Sequence, residues 1–128
     1  MKFTIVGKII PYVRMTQRSK YADERARRYL KSQESIGWQL KQQMLYAGAE
    51  MINRKARLAV AIRMRAPGGL HRWDLDNGVK AVLDAAQGIV FEDDRWIDRI
   101  TAERSIGEEY ITEMMVEMIR TRGDASPI

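Results

Sequence analysis

The chain has 128 residues, of which 45% are hydrophobic and 30% charged, which suits one globular domain and excludes a disordered or collagen-like chain. It contains no cysteine and a single histidine, His71, which excludes a disulfide framework, a thiolate zinc site and a histidine-rich metal centre, and leaves oxygen as the donor for any metal. The net charge of +5 favours a polyanionic partner, and the lack of any run near the roughly 18 apolar residues of a membrane span points to a cytoplasmic protein with no membrane partner.

Residues 2–10 alternate as a strand does, and Pro11, which cannot donate to a ladder, is expected to end it. A basic loop follows. Residues 23–47 are rich in Ala, Arg, Lys, Gln and Leu, with Tyr29, Ile36, Leu40 and Met44 near helical spacing, and predict a long helix weakened near Gly37. Leu58, Val60, Ile62 and Met64 form one face of a half-buried strand, with Arg57, Arg63 and Arg65 among the residues on the other. Pro67, Gly68 and Gly69 make a loop. A helix opening at Asp76 then places Val79, Val82, Leu83 and Ala86 on its apolar face, and Gly88 is its natural stop. Residues 97–106 and 110–121 both alternate, and the short connection containing Gly107 predicts a hairpin between them. The order strand, helix, strand, helix, strand, strand predicts an α+β fold with helices packed on a mixed sheet. A single domain is expected over residues 1–122, followed by a frayed tail at 123–128.

Charge is segregated along the chain. Residues 14–31 carry Arg14, Arg18, Lys20, Arg25, Arg27, Arg28 and Lys31 against Asp23 and Glu24, and residues 54–72 carry Arg54, Lys55, Arg57, Arg63, Arg65 and Arg72 with no acid. Residues 73–98 reverse the sign, with Asp74, Asp76, Asp84, Glu92, Asp93, Asp94 and Asp98 against Lys80 and Arg95.

Asp74 and Asp76 are two residues apart, which in an extended segment points both carboxylates the same way. Asp76, Lys80 and Asp84 follow at four-residue spacing and share one helix face, and Glu92-Asp93-Asp94 comes just past the helix end. If these acids converge, each pair of like charges about 5 Å apart repels by roughly 3 kcal/mol at an effective dielectric of about 20. A hard divalent cation removes that cost, and magnesium prefers a few carboxylates together with water and phosphate oxygens. Such a site suits phosphodiester hydrolysis, with Lys80 balancing charge that builds on the phosphate. On this reading the basic segments hold a nucleic-acid backbone through Arg14, Arg18, Lys20, Arg65 and Arg72.

Each feature also has a plainer reading. An Asp at a helix start is most often a cap, and Lys80 with Asp84 is more often a surface ion pair than catalytic machinery. Glu92-Asp93-Asp94 alone is usually a solvated turn. His71 beside Arg72 is a phosphate contact or nothing, and Trp73 and Trp96 suit core or rim packing better than base stacking.

The ordered set Asp74-Leu75-Asp76-Asn77, Lys80, Asp84 and Asp93-Asp94 followed by an alternating strand resembles the RusA family of Holliday junction resolvases, a family of small, often prophage-encoded endonucleases. The resemblance covers about 25 residues closely and extends loosely over most of the chain. It implies a homodimeric, magnesium-dependent endonuclease, with manganese as a substitute and no small-molecule cofactor, that nicks two symmetric strands of four-way junction DNA in recombination and repair. Carried over by position, it makes Asp74, Asp76 and Asp94 the metal-binding catalytic carboxylates and Lys80 the essential lysine, and gives Asp93 a secondary role. The segment 12–20 departs from the asparagine-rich form of some members, so the resemblance does not extend to cleavage-sequence preference. A less selective nuclease for branched DNA and a DNA-binding module without activity are the competing readings.

Overall fold

The computed structural model describes residues 1–12, 24–53, 56–68 and 74–119. Strand β1 (Lys2–Val6), helix α1 (Glu24–Ala47), strand β2 (Arg57–Ala66), helix α2 (Leu75–Ala86), a 3-10 turn (Asp94–Trp96), strand β3 (Ile97–Ile106) and strand β4 (Ile111–Ile119) follow in chain order. The result is the expected α+β arrangement, two helices on a four-stranded mixed sheet of order β1-β4-β2-β3. The proposed tail at 123–128 lies outside the described residues.

Strand β2 is central because its sequence can be buried. Leu58, Val60, Ile62 and Met64 are at most 3% exposed and face the helices, where they meet Phe3, Ile5, Met114 and Val116. From α1 come Tyr29, Ile36, Leu40 and Met44, and from α2 Val79, Val82, Leu83 and Ala86. Each fully buried side chain of this size contributes roughly 1.5–3 kcal/mol by leaving water.

The expected hairpin between the last two strands does not form. β2 pairs in parallel with β3 on one side and antiparallel with β4 on the other, so β2 lies between them. Residues 107–110 pass over the end of β2, where the Gly107 N–H donates to the Ala66 carbonyl (2.9 Å). A Cβ at Gly107 would collide with the Cγ and Cδ of Arg65, so a larger residue at this crossing must displace the exposed Arg65 side chain. The physical reason for the order is burial: β3 is exposed along most of its length and suits an edge, whereas β2 cannot be left at one.

Two smaller expectations are also revised. β1 stops at Val6, four residues before the predicted end, because Gly7 (φ 112) turns the chain out of the ladder. Helix α1 runs unbroken through Gly37, which is buried where an added Cβ would lie 3.2 Å from Ile89 Cδ1; that glycine marks a close approach of the segment following α2.

Helix α1 also closes one edge of the sheet. The Gln39 side chain accepts from the Val6 N–H (2.8 Å) and donates to the Val6 carbonyl (3.0 Å), and Gln43 does the same at Thr4 (2.9 and 2.8 Å). Each glutamine thus mimics the next strand for the outward backbone groups of β1. Replacing both by Ala is expected to lower unfolding stability by about 2 kcal/mol in urea titration, about 1 kcal/mol per site. Glu at these positions is expected to recover little, because a carboxylate accepts but cannot donate to the strand carbonyls.

Candidate active site

Parallel pairing of β2 and β3 requires a crossover, and α2 is that crossover. It lies against the edge strand, and the groove between them is a cavity of about 630 Å³ lined by Leu75, Asp76, Val79, Lys80, Leu83 and Asp84 of α2, Ile100 and Ala102 of β3, and Asp94. The four-residue spacing of Asp76, Lys80 and Asp84 therefore does put all three on one wall, beside the apolar stripe that anchors the helix.

The helix begins one residue earlier than expected. Asp74 is the N-cap, with extended backbone (φ −71, ψ 142), and its carbonyl accepts from the N–H groups of Asn77 (3.2 Å) and Gly78 (3.3 Å). Its carboxylate makes no capping hydrogen bond. Asp76 lies inside the first turn, with Oδ1 accepting from the Asn77 N–H (3.0 Å). Asp76 is already helical, where residues advance about 100° each, so the two-residue spacing does not point both carboxylates the same way as it would in an extended segment. Asp76 lines the groove and Asp74 does not.

Lys80 and Asp84 do not form the surface ion pair that their spacing suggests. The Lys80 Nζ sits 3.9 Å from the centre of the Tyr12 ring, a cation–π contact. Asp84 Oδ2 accepts from the Tyr29 hydroxyl (3.1 Å). The two rings meet edge to face, 5.8 Å apart at 89°, and the Tyr12 N–H donates to the Asn77 carbonyl (3.2 Å), tying this pair to the start of α2. Burial first, and then the Asp84 charge, hold the Tyr29 hydroxyl protonated far above the ordinary tyrosine range, so it remains a donor. Lys80 thereby keeps a positive charge unspent on either helical neighbour. The sequence shows Tyr29 only as one of the helically spaced residues of α1 and gives no sign of this contact of Tyr12 and Tyr29 with the charged face; Tyr29 and Asp84 are 55 residues apart and no local pattern links them.

The acid pair after α2 is divided in role. Ile52 donates to the Val90 carbonyl and accepts from the Glu92 N–H (2.9 Å each), and Val90 and Phe91 are fully buried, which fixes the chain just before the acids. Asp93 caps the 3-10 turn: its carboxylate accepts from the Arg95 backbone N–H and from the Arg95 Nε, both at 2.9 Å. Asp94 presents its side chain to the groove, and its own N–H donates to Gln87 Oε1 (3.2 Å) at the C-terminal cap of α2. Trp96 packs on the core with the Arg95 guanidinium 5.2 Å from its ring centre.

Among the described residues, no group of three acids is gathered closely enough to hold a metal ion within one chain. The helix explains the spread. Asp74 stands at the start of α2 and Asp94 beside its end, and 12 residues at about 1.5 Å each separate the two ends by roughly 18 Å. The donors are nonetheless of the hard-oxygen type that magnesium-class ions take. Of the basic candidates, Arg14, Arg18, Lys20 and Arg72 lie outside the described residues, as do His71 and Trp73. Arg65 is exposed, alternates with the core-facing Met64 and so stands on the sheet face opposite the groove.

The Arg95 backbone N–H, aided by the guanidinium charge, holds the Asp93 carboxyl below the usual carboxylate range. A depressed folded-state value contributes stability above the unfolded value, near pH 4, that is lost as pH falls through the folded one. Asp93→Ala is therefore expected to lower Tm at neutral pH, and the gap from wild type should be constant from about pH 5 to 8 and shrink below about pH 4 in thermal melts.

The family model described as endodeoxyribonuclease RusA matches residues 2–118, spanning every element from β1 to the penultimate residue of β4. No curated protein matches the chain. With helix α2 carrying its acids and lysine over the open edge of the sheet, and with this match across nearly the whole length, the chain belongs to the RusA family of endodeoxyribonucleases, the Holliday junction resolvases.

Proposed function

We propose that this protein is a magnesium-dependent resolvase that cuts four-way DNA junctions by paired symmetric nicks in recombination and repair. It would act as a cytoplasmic homodimer with Asp74, Asp76 and Asp94 as metal-holding catalytic acids. The observation that carries the reading is the groove beside an exposed sheet edge that Asp76, Lys80 and Asp94 line along the length of α2. A divalent ion held by these acids, magnesium or manganese in its place, would supply Lewis acidity at the scissile phosphate. Lys80, free of Asp76 and Asp84, offsets negative charge building on the phosphate oxygens. Asp93 has a supporting role, holding the turn that presents Asp94. Arg14, Arg18, Lys20 and Arg72, together with Arg65 on the far face, supply backbone contacts.

The distance from Asp74 to Asp94 along α2 favours the homodimer, because a second copy can bring its Asp94 to the N-terminal acids of the first. The test is cleavage of a synthetic four-way junction and a matched linear duplex, with and without magnesium. Asp74→Asn, Asp76→Asn and Asp94→Asn should each abolish cutting while junction binding survives or tightens. Cutting within about threefold of wild type would remove that residue from the site. A mixture of Asp74→Asn and Asp94→Asn chains should regain single-strand nicking if acids are shared between subunits, and stay inactive if each chain is self-sufficient.

Two further outcomes test the charge assignments. If about eight phosphates are neutralised, the slope of log affinity against log salt should be near −7, and a slope shallower than about −2 would count against backbone recognition. Magnesium at about ten times its Kd should stabilise the wild-type fold by about 1.4 kcal/mol without DNA, and Asp74→Asn or Asp94→Asn should reduce that response without destabilising the metal-free protein. A loss above about 1 kcal/mol in the metal-free variants would make these acids structural.

A further inference from the structure

The two edges of the sheet are treated differently. β1 is closed by Gln39 and Gln43, whereas the outer side of β3 pairs with no strand among the described residues. β3 has ten residues and carries Ile100 at 47% and Ile106 at 80% exposure. Charged residues on an edge ordinarily discourage pairing. Here the charges alternate in sign about a central threonine, Asp98-Arg99-Ile100-Thr101-Ala102-Glu103-Arg104, so that reading outward from Thr101 each charge meets its opposite on the other side.

We propose that β3 is the homodimer surface: it pairs antiparallel with β3 of a second copy across a two-fold axis at Thr101. The proposal rests on the homodimeric reading above and names the surface that reading lacks. In this register Arg99 faces Glu103 of the other copy twice and Ile100 meets Ala102; Asp98, which sits at the irregular start of β3 and is ion-paired with Arg57 (3.4 Å), comes near Arg104, and the exposed Ile106 comes near the N-terminal end of the other β3. Neighbouring registers are worse. A shift of one residue sets Arg99 against Arg104 or Asp98 against Glu103, and a shift of two leaves no charge pair. A one-residue shift would also turn like faces of the two sheets apart, whereas the proposed register keeps both α2 helices on one side. Since α2 runs opposite to β3, each groove then opens toward the partner's, with the N-terminal acids of one α2 approaching the end of the other that carries Asp94.

Arg99 and Glu103 already reach Glu117 (3.8 Å) and Arg63 (2.8 Å) within the chain, on the sheet face away from the helices. Cross-strand pairing extends these into a row of alternating charges, Glu117, Arg99, then Glu103 and Arg63 of the other copy.

The chain has no cysteine, which makes the test direct. Thr101→Cys should form a covalent dimer on oxidation or with a short thiol crosslinker, while Thr4→Cys on the closed edge should not. In sedimentation, Arg99→Glu should weaken the dimer on the order of tenfold or more, since two attractive contacts become repulsive. The charge swap Arg99→Glu with Glu103→Arg should restore it. A dimer unaffected by Arg99→Glu, failure of the swap to recover, or Thr4→Cys crosslinking as well as Thr101→Cys would overturn the proposal; a monomeric wild type at tens of micromolar would overturn it together with the homodimer. These readouts do not involve cleavage, so a dimer with this register that cuts no junction would refute the nuclease reading alone.

Discussion

The arrangement depends on the burial of β2. Its core face is sealed by both helices, and it is hydrogen-bonded along both sides, in parallel to β3 and antiparallel to β4. A parallel neighbour following in sequence cannot be reached by a tight turn, so the chain must cross over the sheet, and α2 makes that crossing. The groove is a consequence. Because β3 is the edge among the described residues, the outer flank of α2 has no further described strand beneath it, and its charged face borders solvent and the exposed Ile100.

Within that groove the main problem is electrostatic. A lysine placed four residues from an acid on either side would ordinarily be neutralised by one of them. The tyrosines prevent this by giving each charge a different partner: the Tyr12 ring takes the Lys80 ammonium and the Tyr29 hydroxyl takes the Asp84 carboxylate. An aromatic face attracts a cation without cancelling its charge, which leaves the ammonium able to meet a phosphate. Asp93 and Asp94 show a similar division. One acid is committed to Arg95 and the turn, and the other is presented to the groove.

Segregated charge along the chain thus becomes segregated charge in space. The acidic segment forms the helix and turn around the groove, while the described arginines of β2 alternate to the opposite face of the sheet. The uneven edges belong to the same design: glutamine side chains complete β1, and the edge beside the groove keeps its pairing groups and an alternating run of charge.

The α+β class, the kind and place of each element and the shared face of Asp76, Lys80 and Asp84 were legible in the sequence, because periodicity and glycine or proline breaks are local properties. The family was legible too, from the ordered acids and lysine over about 25 residues. Strand order was not. Two alternating strands joined by a short glycine-containing link look like a hairpin whether or not a third strand lies between them, and only the competition for burial puts β2 there. Nor could the sequence show that Asp74 is an N-cap whose carboxylate makes no capping hydrogen bond, that Asp94 stands by the far end of the same helix, or that Tyr29 holds Asp84 across 55 residues. Those facts depend on how far a helix extends and on which distant side chains share its core, and tertiary packing alone sets both.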